Sequence, residues 1–241
     1  MKIHFGGYGF QGLASIEYLG DFESESRMVL NGLAGYYVAV ERAMGKKEAL
    51  YRLSKFVDEF FVTLEVMDGG ALSSKKIVSG KLERIRHCCI WSKSNHIYGI
   101  AARDSYLDGI AGETELSAEV FNLETRKVEL IRDDMREVAA ACISIPGLFA
   151  PYNDVYVTTT YLSQIPVSFL SEGDIVILNL RDLSTDKPST ASEVIFRAME
   201  IRSLNYAKMI LANSSCASVR VKTRVHSDNV FDYLDQVRRS V

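Results

Sequence analysis

The 241-residue chain is predicted to form one α/β domain, residues 1–241, around a mainly parallel sheet. Lys2 to Phe5 has the pattern of a short strand and runs into a cluster of glycines. A second unit follows, in which Met28 to Leu30 is a buried strand, Gly32 and Gly35 mark a turn, and Tyr37 to Met44 is a helix. Two consecutive strand-glycine-helix units favour parallel strands, because parallel neighbours need a crossover helix between them.

The remaining elements alternate between helical and strand patterns. Apolar spacing of 3.6 residues predicts helices, and short alternating runs predict strands and hairpins. The predicted helices are Lys46 to Phe61, a segment near Ser79 to Ser92, Met135 to Ile143, and Ser192 to Leu211 opened by a serine cap; the predicted strands are Phe61 to Val66, His96 to Ala101, Glu119 to Leu123, Lys127 to Ile131 and Ile175 to Leu178.

Composition and charge exclude several classes of protein. The chain is 47% hydrophobic and 24% charged with a formal net charge of −3, so we expect an ordered, soluble domain without the basic field that attracts nucleic acid. No segment has the length and apolarity of a transmembrane span or the pattern of a signal peptide, and we expect a cytoplasmic protein. The four cysteines, including those in His87-Cys88-Cys89, lack zinc-site spacing, so we expect neither a metal nor a cofactor.

A glycine loop after the first strand is the first candidate site. Gly7-Tyr8-Gly9-Phe10-Gln11-Gly12 has the Gly-x-Gly-x-x-Gly spacing of a dinucleotide-binding turn. That fingerprint requires an acidic residue after the next strand to bind the ribose hydroxyls, and this chain has Asn31 there. The same loop fits an oxyanion-binding turn, in which backbone amides converge on a negative charge, or a turn that needs glycine for packing alone.

Two further segments bear on which of these interpretations of the glycine loop applies. Ala139 to Ile143 followed by Ile145-Pro146-Gly147-Leu148-Phe149-Ala150-Pro151 forms a helix and an Ile-Pro-Gly-x-Phe-x-Pro turn, after a hairpin over Glu119 to Leu130. Val155 to Val167 then has the place of a strand and a loop that runs to a proline. Together with the glycine loop, these segments resemble the patatin-like phospholipases from residue 3 to about 210. The resemblance implies a three-layer sandwich with a mainly parallel central sheet and helices on both faces.

The resemblance also implies a Ser/Asp dyad, and the expected positions lack it. The nucleophile elbow, Gly-x-Ser-x-Gly, falls on Leu30 to Gly35 and puts either Leu33 or Ala34 at the nucleophile position. The aspartate, from the family's Asp-Gly-Gly or Asp-Gly-Ala motif, falls on Thr158. Tyr8 and Gln11 depart from the family's Gly-Gly-Gly-x-Arg-Gly loop. Acyl transfer needs an activated hydroxyl or thiol and a base, so we expect no hydrolase activity from this pair.

We therefore expect a non-catalytic protein that binds a lipid, an anionic ligand or a protein partner in the remnant cleft, with Gly7, Tyr8, Gly9, Gln11 and Gly12 as the ligand-binding residues. A homo-oligomer is compatible with this expectation. Two alternatives remain open. One is a lipid acyl hydrolase with relocated residues, for which Cys142, Ser144 and His4 are the candidates, and the other is a nucleotide-binding module that uses the glycine loop.

Overall fold

A computed structural model of the chain describes residues 1–7, 16, 27–67, 96–98, 103–180, 191–214 and 219–223. Within these ranges the strands are β1 (Ile3–Gly7), β2 (Met28–Asn31), β3 (His96–Tyr98), β4 (Glu113–Asn122), β5 (Lys127–Asp134), β6 (Gly147–Phe149), β7 (Tyr156–Thr158), β8 (Ile175–Leu180) and β9 (Val219–Thr223). The helices are α1 (Gly32–Met44), α2 (Lys46–Met67), α3 (Met135–Ile143) and α4 (Ala191–Asn213), with a 3-10 turn at Thr159–Tyr161.

The protein is α/β, and its main sheet is mixed but mostly parallel. Its strand order is β5-β4-β2-β1-β8-β9, and β7 also pairs with β4, which makes seven strands. The contacts among β4, β2, β1, β8 and β9 are parallel, whereas β5 and β7 run antiparallel to β4. Strands β3 and β6 form a separate parallel pair. The carboxyl ends of β1, β2 and β4 therefore meet at one edge of the sheet.

Local sequence explains where several elements begin and turn. Asp134 caps α3 by accepting a hydrogen bond from the amide of Glu137 at 3.0 Å, which satisfies one of the free amides of the first turn. Asn122 shapes the β4–β5 hairpin in the same way, since its side-chain oxygen accepts from the amides of Glu124 and Thr125, each at 3.0 Å. Both contacts are made by short polar side chains that stabilise a change of chain direction.

The core lies around α1. This helix is buried from Gly32 to Val40 and packs against β1, α2 and α3. Gly35 allows α1 to lie close to α3 and β2, because a Cβ there would lie 2.8 Å from Cys142 Sγ and 2.9 Å from Leu30 Cβ. Tyr36 is fully buried with its hydroxyl donating to the carbonyl of Tyr106 at 2.8 Å. The α1 face is therefore packed without space for larger side chains.

Most predicted elements agree with the structure, and one does not. The helix predicted over Met135 to Ile143 has those bounds, and the strands at Lys2 to Phe5, Met28 to Leu30, Lys127 to Ile131 and Ile175 to Leu178 are confirmed within a few residues. The strand predicted at Glu119 to Leu123 is present as β4, but it begins six residues earlier, at Glu113. The predicted strand at Phe61 to Val66 is wrong, because these residues continue α2 to Met67. A helix that has already formed extends cheaply by one hydrogen bond per residue, which overrides the strand preference of a short aromatic and β-branched run.

Three smaller expectations need qualification. The strand predicted over His96 to Ala101 is described only as His96–Tyr98. The long C-terminal helix begins at Ala191, so Ser192 lies inside α4 rather than preceding it. The helix predicted near Ser79 to Ser92 lies outside the described residues.

None of the helices in the described ranges is both long and apolar enough to cross a membrane.

Candidate functional site

A buried polar cluster occupies the carboxyl edge of β1, β2 and β4. Gly6 of β1 pairs with Asn31 of β2, and Leu30 of β2 pairs with Ala118 of β4. Asn31 and Glu119, each one residue further along its strand, therefore lie side by side. The 3-10 turn after β7 meets the same place, where Thr159 Oγ1 lies 3.2 Å from the carbonyl oxygen of Glu119. Ligands of open α/β sheets bind at this edge, where loops and helix amino ends converge.

The turn from β2 into α1 is built around Gly32. Asn31 is extended, Gly32 has φ +64°, and α1 begins at Gly32. A Cβ on Gly32 would overlap the carbonyl oxygen of Gly7 and lie 2.5 Å from Thr160 Cγ2. Because φ is positive and the space is filled, this position excludes every residue with a side chain unless its neighbours shift.

Thr158 closes the other side of this turn. Its Oγ1 accepts a hydrogen bond from the Gly32 amide at 3.0 Å, across 126 residues of sequence. That amide belongs to the first turn of α1 and has no acceptor within the helix. Thr158 is 1% exposed, so its hydroxyl is a buried partner for a helix amino end rather than a solvated group. A neutral hydroxyl makes this contact without burying a charge.

A chain of hydrogen bonds links the edge of β2 to the edge of β4. Asn31 Nδ2 donates to Thr159 Oγ1 at 3.1 Å and to the carbonyl oxygen of Ser163 at 3.3 Å. Thr159 Oγ1 in turn lies 2.9 Å from Glu119 Oε1. The other carboxyl oxygen, Oε2, accepts from the amide of Ser168 at 2.9 Å. The segment 159–168 is thus attached to both strands through Asn31 and Glu119.

Glu119 is the buried titratable group of this cluster. It is 1% exposed, and burial raises the pKa of its carboxyl to about 7. The hydrogen bonds from Ser168 and Thr159 act in the opposite direction and limit that rise. The carboxyl therefore changes charge near neutral pH, a property that clusters at functional sites but also occurs in structural networks.

Three polar atoms in this region have no partner within the described part of the chain: Asn31 Oδ1, Thr160 Oγ1 and Ser163 Oγ. Asn31 Oδ1 points at Gly6, where any Cβ would overlap it, so this pair of positions admits only a glycine opposite the amide. Buried polar atoms are rarely left without a partner. These three atoms therefore mark the region beside the amino end of α1 as the place to look for a bound water or ligand.

The residues singled out from the sequence fall in different places. Leu33 and Ala34 lie in the first helical turn of α1, one and two residues after Gly32 at the β2–α1 junction. They are 1% and 0% exposed. Gly7 ends β1 and forms a bridge with Gly32. Tyr8, Gly9, Gln11 and Gly12 lie outside the described residues. The structure brings Thr158 against the β2–α1 turn, next to Gly32.

Sequence reasoning missed Glu119 and Asn31 as members of one cluster. The sequence pattern places Glu119 in a strand, but no local signal shows that its side chain joins a polar cluster. Asn31 stands where a dinucleotide-binding fold would have an acidic ribose ligand, and that position says nothing of a contact with Glu119. The topology alone brings them together, because Glu119 lies beside Asn31 only if β4 pairs in parallel with β2.

The candidates for a relocated nucleophile are all engaged in packing or hydrogen bonds. Cys142 is 0% exposed inside α3, and burial raises the pKa of its thiol. Ser144 Oγ donates to the carbonyl of Ala140 at 2.7 Å. His4 Nδ1 lies 2.9 Å from the carbonyl oxygen of Pro166, and Nε2 lies 3.2 Å from Asp174 Oδ2. None of these three side chains faces solvent.

Within the described residues, no group of three or more His, Cys, Asp and Glu side chains is placed to hold a metal ion. The sequence matches no protein-family model, and no curated protein matches it significantly. The class defined by fold and site is an α/β protein with a buried polar cluster at the carboxyl edge of a mostly parallel sheet.

Proposed function

We propose that this protein is a non-catalytic patatin-like protein that binds a ligand at the carboxyl edge of its sheet. The observation that carries the proposal is the contact between Gly32 and Thr158 at the β2–α1 turn. In nucleophile-elbow hydrolases, the nucleophile occupies the sharp turn between a strand and a helix. In this protein a glycine occupies that turn, and the residue that faces it is a threonine.

The proposal includes the architecture of that class. We infer a three-layer sandwich with helices on both faces of the sheet. It also revises the position that corresponds to the nucleophile from Leu33 or Ala34 to Gly32, because Gly32 is the residue with positive φ at the junction. Thr158 remains the position that corresponds to the aspartate.

Loss of the chemistry follows from both residues. Glycine has no nucleophile, and threonine is no base near neutral pH, so neither half of a Ser/Asp pair remains. Removing the serine alone costs on the order of a millionfold in turnover in the serine protease subtilisin. The methyl of Thr160 and the Gly7 carbonyl fill the space that a serine at position 32 would need.

The ligand we propose is a lipid or another molecule with an anionic or strongly polar head. The amino end of α1 attracts negative charge, and the hydroxyls of Thr160 and Ser163, which have no partner among the described residues, supply donors nearby. A protein partner or a second copy of the chain at the same edge is an alternative occupant. A cytoplasmic location remains part of the proposal.

The proposal is tested by hydrolysis of short-chain and long-chain p-nitrophenyl esters. We expect no turnover by the parent protein above that of buffer. The triple variant Gly32→Ser, Thr158→Asp, Thr160→Ala tests the Gly32 register, and the double variant Leu33→Ser, Thr158→Asp is its matched control. Gain of activity in the triple variant alone would support the patatin-like arrangement and the register.

Ester turnover by the parent that one substitution abolishes would refute the non-catalytic assignment. Binding is measured separately, by thermal shift with a fatty acid, a lysophospholipid, inorganic phosphate and NAD. Stabilisation by the lipids supports the proposed ligand class. Stabilisation by NAD alone would instead favour a nucleotide-binding module on the glycine loop.

A further inference from the structure

The hydroxyl of Thr159 lies within hydrogen-bond distance of two acceptor oxygens but has only one proton to donate. Thr159 Oγ1 lies 2.9 Å from Glu119 Oε1 and 3.2 Å from the Glu119 carbonyl oxygen, and it accepts from Asn31 Nδ2 at 3.1 Å. A hydroxyl has one proton to donate and two lone pairs that accept. It can therefore donate to only one of the two Glu119 oxygens, and an ionised carboxylate would leave the other contact as two facing acceptors.

A proton on Glu119 Oε1 resolves this conflict. The carboxylic acid then donates to Thr159 Oγ1, whose own proton goes to the Glu119 carbonyl oxygen. Asn31 Nδ2 fills the second lone pair, and Glu119 Oε2 still accepts from the Ser168 amide at 2.9 Å. The hydroxyl of Thr159 and both carboxyl oxygens of Glu119 are then paired, which matters because an unpaired buried group costs more than a hydrogen bond returns.

The groups that face Glu119 carry no countercharge. The 3-10 turn contributes Thr159 and the following segment contributes Ser168 and the backbone of Val167, while Leu130 is opposite on β5 and Asn31 reaches the cluster from β2. The main influences on the pKa of Glu119 are burial and hydrogen bonds, and none of them is a charged side chain. An ionised Glu119 would be a buried carboxylate with hydrogen bonds from Thr159, Ser168 and Val167 but no countercharge, and burial disfavours that charge more than these bonds stabilise it.

A second titratable pair faces the same segment from β1. His4 Nδ1 lies 2.9 Å from the carbonyl oxygen of Pro166, two residues before Ser168, and Asp174 lies behind His4. Burial lowers the pKa of His4, and the hydrogen bond to Asp174 partly offsets this effect. The segment is therefore held from two sides by buried groups that titrate, and an experiment on Glu119 must separate the two.

We propose that Glu119 is a proton-operated latch, which holds the segment 159–168 against the sheet edge while its carboxyl is protonated and releases it when the proton is lost. The released proton goes to solvent, and the carboxylate that remains still accepts from the Ser168 amide but gains more from hydration than from the buried cluster. This latch would make access to the carboxyl edge depend on pH. It does not require the proposed ligand, since it concerns the protein alone.

The test compares the parent with Glu119→Gln. An amide matches the protonated acid, because Nε2 donates to Thr159 and Oε1 accepts from the Ser168 amide. Amide hydrogen exchange of peptides covering 159–170 is followed from pH 5 to pH 8 by mass spectrometry, corrected for the intrinsic exchange rate. We expect protection to fall with pH in the parent by on the order of tenfold or more and to stay constant in Glu119→Gln.

Equilibrium unfolding gives an independent readout. A carboxyl whose pKa rises from 4.5 to about 7 on folding lowers stability as pH rises through that range. The unfolding constant of the parent, relative to that of Glu119→Gln, should therefore rise on the order of a hundredfold from pH 5 to pH 8. Glu129→Gln is the matched control, because Glu129 also accepts a threonine hydroxyl, from Thr125 at 3.0 Å, at an exposed site.

Infrared spectroscopy of the parent keeps the test decisive if Glu119→Gln does not fold. A protonated carboxyl has a C=O band that disappears on ionisation, and we expect that band to be present at pH 6, where ordinary carboxyls are ionised, and lost by pH 8. Absence of the band at pH 6 would overturn the proposal. Protection of 159–170 that falls equally in Glu119→Gln would also overturn it and would point to the His4 pair.

Discussion

Thr158 Oγ1 lies 3.0 Å from the backbone nitrogen of Gly32 and accepts its hydrogen bond. This contact joins the end of β7 to the start of α1 and satisfies a helix amide in a site from which water is excluded. Thr158→Val keeps the shape and removes the acceptor, so we expect a loss of about 1 to 2 kcal/mol in the free energy of unfolding. Urea denaturation measures it, and Thr125→Val, at an exposed hydroxyl, should change stability by less than about 0.5 kcal/mol.

Gly32→Ala should cost more, about 3 kcal/mol, because backbone strain and steric overlap add at this position. The added Cβ meets the Gly7 carbonyl and the Thr160 methyl. Gly173→Ala separates the two causes, since Gly173 has φ +83° and nothing lies within 4 Å of the added carbon. We expect about 1 kcal/mol there. Equal losses in the two variants would mean that the crowding at Gly32 relaxes freely.

How far the sequence predicts this arrangement depends on the range of the interaction concerned. Local patterns suffice for α3 at Met135–Ile143 and for the order of strand, turn and helix at β2 and α1, because periodicity, capping and glycine act within a few residues. They place the start of α1 at Tyr37, five residues late, since the helix begins at Gly32 and contains Gly35. They fail at Phe61 to Val66, where a short run fits either a strand or a continuing helix.

The site is harder to predict than these elements. A resemblance selected Thr158, but its contact with Gly32 spans 126 residues and depends on how β7 pairs with β4. The protonated state of Glu119 depends on burial by three segments at once. No property of a single strand encodes that burial, because alternation along β4 indicates which face a residue occupies and not what covers it.

Cys142 should be inert in the folded protein. It is buried in α3 against Gly35, and burial raises the pKa of its thiol, so little reactive thiolate is present. We expect an alkylating reagent to modify Cys142 at least about a hundredfold more slowly in the native protein than in urea. Peptide mapping identifies the modified residue among the four cysteines. Fast native labelling at Cys142 would revive it as a candidate nucleophile.

Arg103 should contribute more to stability than its single ion pair suggests. Arg103 is 6% exposed, and its guanidinium donates to the carbonyls of Ala150 and Pro151, each at 3.2 Å, while also contacting Asp104. Lysine lacks the planar fork that reaches all three acceptors. Arg103→Lys should therefore lower the free energy of unfolding by about 2 kcal/mol.

The control for Arg103 is a solvated arginine. Arg27 lies 3.6 Å from Glu115 with both side chains more than half exposed, so Arg27→Lys should have little effect on stability. Urea denaturation of both variants at the same pH gives the comparison. A loss at Arg103 no larger than that at Arg27 would show that the Ala150 and Pro151 carbonyls find other donors.

Asp174 should give the acid side of the stability profile. Burial acts to raise the pKa of its carboxyl, but hydrogen bonds from the amides of Lys2 and Ser171 and from His4 outweigh burial and lower the pKa below its ordinary 3.8. A group whose pKa falls on folding stabilises the protein above its unfolded pKa, and that stability is lost as pH falls through the folded pKa.

Asp174→Asn removes the charge at every pH. We expect the parent to be more stable than Asp174→Asn at pH 7, and the difference to shrink below about pH 4. Urea unfolding at pH 7, 5 and 3 measures the difference, with Asp108→Asn at an exposed position as the control. A difference that stays constant with pH would show that Asp174 acts through shape rather than charge. Because Glu119 destabilises the fold as pH rises and Asp174 does so as pH falls, the two carboxyls together predict maximal stability on the acidic side of neutrality.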